Sequence, residues 1–218
     1  TYTITYTITP CVGGCGTLNY TTSAIVVINP YTWTGGISTD WNTAGNWAGN
    51  AVPTTACPDV TILSGVPYQP TLGFGIATIQ NIFINSGATL TVSNATLQLS
   101  GTINNSGTFD VSNGAIELNG PGTQTIPANA FQSNALKDLI ISNSSSGGAV
   151  LSGILDVYGS LTYTGTGMTL TTNDFLALKS NATNTAWVGD MTGNTITGKV
   201  SVERYISSHK AWRFLSIP

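Results

Sequence analysis

Apolar and polar positions alternate at period two along most of this chain, in short bursts separated by Gly, Asn and Ser. The first burst, TYTITYTIT, alternates Thr with Tyr or Ile, and a second runs from Thr17 to Ile28. Period two puts successive side chains on opposite faces of a pleat, so both predict strands. The turn CVGGC lies between them, and residues 1–29 predict a β-hairpin. Tyr2, Ile4, Tyr6 and Ile8 line one face of it, and a lone two-stranded hairpin is marginal in water. Either the rest of its own domain or a neighbouring molecule, joined by strand addition, has to cover that face.

From about Val60 the bursts shorten and repeat. SGATLTVSNATLQLSG from Ser86 aligns with SGTFDVSNGAIELNG from Ser106, offset by 20 residues at Gly87 and Gly107 and by 19 from Val92 and Val111 to Leu99 and Leu118. A period near 20, with inward pairs such as Leu90 and Val92 or Leu97 and Leu99, is what stacked β-coils require. A right-handed parallel β-helix (β-solenoid) of roughly six coils is expected over residues 60–206, in an all-β chain. NAFQSNALKDLIIS from Asn129 alone has helical spacing and predicts a lateral loop or a single helical turn.

Residues 30–59 are rich in turn formers yet carry Trp33, Trp41 and Trp47. Large aromatics in such a stretch predict a cap or linker over the coil stack, or platforms for sugar rings. Residues 207–218 predict a second cap or the start of a further module. Lys199, Arg204, Lys210 and Arg213 gather where the stack has to stop, and charge there protects open strand edges. The corner asparagines Asn85, Asn94, Asn104, Asn113 and Asn119 read as turn residues that tolerate left-handed backbone, in preference to ligands.

Composition narrows the function. Only 7% of the 218 residues are charged and the net charge is -3, which leaves no basic stripe for nucleic acid. Apolar runs such as Ala24 to Ile28 are too short to span a bilayer. Cys11 and Cys15 flank a flexible turn and are a candidate disulfide, with reduced thiols or a weak zinc site as alternatives. Cys57 reads as a lone buried thiol. The seven aspartates are scattered, with Asp110 and Asp156 expected at different corners, so no catalytic residue, metal ligand or cofactor is assigned.

WTGGISTDWNTAGNW, VPTTACPDVTI, the Gly-Ala-Thr-Leu-Thr rungs, VERYI and WRFLSIP together resemble the repetitive multidomain surface and secreted adhesin-like proteins of Bacteroidota exported by type IX secretion. The likeness covers about residues 31–218. Residues 1–29 are similar to the last two strands of the Ig-like or PKD-like domains strung along such proteins. The resemblance implies an extracellular or cell-surface module, with the hairpin belonging to an incomplete Ig-like domain. It carries over no catalytic residues.

These observations lead to an expected structural or adhesion rod that joins copies of itself or neighbouring domains and can polymerise as a fibre. Glycan binding through Trp33, Trp41, Trp47 or Trp187 is the alternative. Ice binding and polysaccharide cleavage come behind it, because Thr-x-Thr does not recur at one corner of the rungs and the acids do not cluster.

Overall fold

The computed structural model of the protein describes residues 29–207. The predicted hairpin with Tyr2, Ile4, Tyr6, Ile8, Cys11 and Cys15 lies outside the described residues, as does nearly all of 207–218. Within them the chain is all-β, and every ladder between strands is parallel. The strands stack into a β-solenoid of about seven turns.

Three sheets make its faces. Numbered along the chain, the first holds β1 (Thr32–Trp33), β2 (Val60–Ile62), β5 (Ile82–Ile84) and β7 (Ile103–Asn105). The second, of nine strands, holds β3 (Thr71–Leu72), β4 (Gly75–Ile79), β6 (Thr89–Leu99), β8 (Thr108–Leu118), β10 (Ala135–Ile141), β12 (Leu155–Tyr163), β14 (Leu176–Leu178), β15 (Trp187–Val188) and β17 (Val200–Val202). The third holds β9 (Gln124–Ile126), β11 (Ala149–Leu151), β13 (Thr169–Thr171) and β16 (Thr195–Thr197).

The alternation seen in the sequence decides what each strand buries. Ala77, Leu97, Ile116, Leu139, Leu161 and Val188 fall opposite one another from rung to rung and form one inward column. A fully buried Leu or Ile contributes about 2 kcal/mol, so such columns are the main source of stability. The long strands bend: β3 pairs with the first half of β6 and β4 with its second half, and Asn94, in left-handed backbone at φ 54°, sits at the join.

At the β1 end the three indoles form a plug. Trp33, Trp41 and Trp47 are fully buried, with Trp47 edge-on to Trp33 at 5.0 Å and to Trp41 at 4.7 Å. Trp33 Nε1 donates to the Tyr68 carbonyl at 2.7 Å, and Trp47 Nε1 to the Trp41 carbonyl at 2.9 Å. Gly35, at φ 54°, lets Tyr68 approach: a Cβ there would lie 2.0 Å from the Tyr68 oxygen.

Among the described residues the first and third sheets do not join, because β7 and β9 do not pair with each other. At this seam a side chain replaces the ladder. The buried Gln124 amide donates to the Leu99 and Gly101 carbonyls (2.7 and 3.1 Å) and accepts from Gly120 N and Asn143 Nδ2 (2.6 and 2.9 Å). Asn105 Nδ2 bonds the Ala130 carbonyl at 3.0 Å, and Phe131 packs on Phe109 at 5.2 Å.

Several expectations need adjustment. Stacking begins at Thr32, since β1 pairs with β2, so the coils number about seven and start inside the segment read as a cap. The stretch from Asn129 does hold a single helical turn, the 3-10 turn at Gln132–Asn134, before it enters β10. Of the five corner asparagines only Asn94 adopts left-handed backbone. Cys57 is half-buried and disulfide-bonded, which corrects its reading as a lone buried thiol.

Candidate functional site

The bend in the nine-stranded sheet makes a concave corner that runs along the stack. Gly75, Asn94 to Thr96, Asn113 to Ala115, Lys137 and Asp138 line a groove of about 340 Å³ there. Its floor is built of small residues for a physical reason: a Cβ on Gly114 would lie 2.5 Å from the Val92 carbonyl. Ala115 occupies an outward position, opposite Thr96 on one side and Asp138 on the other, yet is only 8% exposed. Walls on both sides shelter it.

The groove is polar, and part of its bonding capacity is unused. Asp138 Oδ1 accepts from both the backbone and the hydroxyl of Ser160 at 2.8 Å, and Lys137 Nζ stands 3.8 Å from Asp138 Oδ2. The side-chain amides of Asn94 and Asn113 and the hydroxyl of Thr96 hold no hydrogen bond among the described residues. The register carries the same outward column from Ile76 through Thr96, Ala115, Asp138 and Ser160 to Trp187, which is 56% exposed.

Beside it, outward polar side chains of successive rungs bond one another across two columns. Thr78 Oγ1 donates to Gln98 at 2.7 Å, Gln98 to Glu117 at 2.8 Å, Ser142 Oγ to Glu117, and Thr164 to Ser142 at 2.8 Å. Each of these five side chains is bonded to a side chain of an adjacent rung.

The three tryptophans assigned to cap or glycan stacking are brought together, but inside the plug. Their ring faces meet one another rather than solvent, which closes them to sugars. Trp187 is the indole on the surface among the described residues.

Rung stacking also joins charges that lie apart in sequence. Lys179 Nζ bonds Glu203 and stands 3.8 Å from Asp156 Oδ2. The hydrogen bond to Glu203 holds the Lys179 pKa above its ordinary value. Asp110 and Asp156 also share an outward column, because Leu136 lies opposite both Val111 and Val157. That corrects their assignment to different corners; the spacings 156, 179 and 203, each one rung on, were the available signal. Among the described residues no three His, Cys, Asp or Glu side chains are placed to hold a metal ion. No described helix is long and apolar enough to cross a membrane.

The far end of the stack differs from the plugged one. β16 and β17 end their sheets, and Val202 is 52% exposed, with Tyr205 and Ile206 exposed beside it and Ile196 and Val200 only partly covered.

No curated protein and no solved structure matches the chain. Residues 32–119, which run from β1 past the end of β8 and take in the plug and most of the groove, match a domain of unknown function (DUF8693).

Proposed function

We propose that the chain is an extracellular or cell-surface structural and adhesion module, a stiff β-solenoid rod whose partners are neighbouring domains or further subunits. The unlike ends carry this reading. One end closes on three buried indoles, while at the other, among the described residues, β16 and β17 pair on one side only and leave an outer edge open beside half-exposed apolar side chains. Unpaired strands with an apolar face are templates for added strands, and a repeat array needs a cap or a neighbour there. Strand addition through residues 1–29 is the proposed route to fibres, as in other β-augmented assemblies.

Negative-stain microscopy of the native material tests this, together with labelling of intact cells by an antibody to the chain. Surface label on rods or filaments is the expected outcome; isolated particles confined to the cell interior overturn the reading. Filaments unchanged after deletion of residues 1–29 overturn strand addition alone.

A further inference from the structure

We infer that the groove along the bend of β6, β8 and β10 is a binding cleft for a neutral, hydroxyl-rich oligosaccharide lying along the stack. The inference goes beyond the rod reading, since a rod without a ligand would still be a rod.

Three observations converge on it. Among the described residues the amides of Asn94 and Asn113 and the hydroxyl of Thr96 make no hydrogen bond, so donors and acceptors of both kinds are open to a ligand in the groove. Such amide and hydroxyl groups can exchange bound water for ligand hydroxyls. Second, Lys137 and Asp138 face each other across 3.8 Å, so the groove presents a neutralised pair rather than a field of one sign. Phosphate, sulfate or polyamine ligands need an unbalanced charge, and this groove has none.

Third, the outward column that forms the groove ends at Trp187. Ser160 lies between Asp138 and Trp187, which puts the exposed indole two rungs, about 10 Å, beyond the ion pair. An exposed indole packs its apolar face on a pyranose ring. Rungs recur every ~4.8 Å, a spacing close to the length of one pyranose in an extended chain, so successive sugars meet successive rungs. The small residues Gly75, Gly114 and Ala115 keep the floor low and leave room for that backbone.

The experiment uses the full chain and six-unit cello-, xylo-, manno- and chito-oligosaccharides, with binding followed by calorimetry and tryptophan fluorescence. At least one series should bind with sub-millimolar Kd and shift the emission. Trp187→Ala should weaken it about tenfold and abolish the emission change. The double variant Asn94→Gly, Asn113→Ala should weaken it tenfold or more; Gly keeps the left-handed backbone at position 94, and an unchanged thermal transition shows that the fold is intact. A groove-filling Ala115→Gln variant gives a second route to the same loss. No binding in any series, or binding that all three variants leave intact, overturns the inference. Neither result touches the rod reading, which microscopy decides.

Discussion

Trp41 is the odd member of the indole plug, because its buried Nε1–H has no hydrogen-bond partner among the described residues, whereas Trp33 and Trp47 each donate to a carbonyl. Trp→Phe removes similar ring area at positions 41 and 47, but at 47 it also strands the Trp41 carbonyl. An unmet buried polar group costs about 1–3 kcal/mol. Trp47→Phe is therefore expected to destabilise the chain by about 1 kcal/mol more than Trp41→Phe in chemical denaturation; equal losses count against the plug geometry. Tyr163 offers a second check. Burial pushes its hydroxyl up to about 12, and among the described residues its oxygen has no partner. The unfolded chain releases this proton near 10 while the folded chain keeps it, so stability falls as pH rises from about 10 to 12. Tyr163→Phe should remove that part of the alkaline loss and raise stability at neutral pH, both read by denaturant titration. At this scale the sequence was partly legible: Trp33, Trp41 and Trp47 stood out as a group, but burial or display depends on Gly35 and Tyr68, which no local pattern links to them.

Among elements, the rungs were the most legible part. The offset of 19 residues between Leu97 and Ile116 and between Leu99 and Leu118 is the register that the ladder adopts. Equal inward pairs have to stack to stay buried, so the repeat encodes its own pairing. The groove was less legible. Asn94 could be read as a corner residue, but that Asn113, Lys137 and Asp138 share its corner follows only once register is known. The seam was hidden, because TQTI around Gln124 looks like any other alternating burst. Gln124 bonds four groups at once. Gln124→Leu should therefore cost about 3 kcal/mol or more in chemical denaturation. A loss below about 1 kcal/mol would mean that the seam is held by other contacts.

For the molecule as a whole, stability in a stacked array is a sum of rungs and their interfaces, and a terminal rung has one interface instead of two. Amide hydrogen exchange should accordingly be fastest in β16 and β17 and slowest in β6, β8 and β10, whose inward residues are covered on both sides. Protection that is uniform along the stack would contradict independent rungs. The six basic and nine acidic residues leave little for salt to screen, so the midpoint of unfolding should move little with added sodium chloride.

The seam gives the rod a preferred direction of bending. On one side the nine-stranded sheet runs without interruption from β3 to β17, while on the other the backbone ladder stops at β7 and restarts at β9. Hydrogen-bonded ladders resist stretching along their length; a few side-chain amides give way sooner. A sideways load therefore opens the body like a book, with the continuous sheet as its spine and Gln124 as its clasp. A rod built so would flex toward one face under load more readily than toward the other.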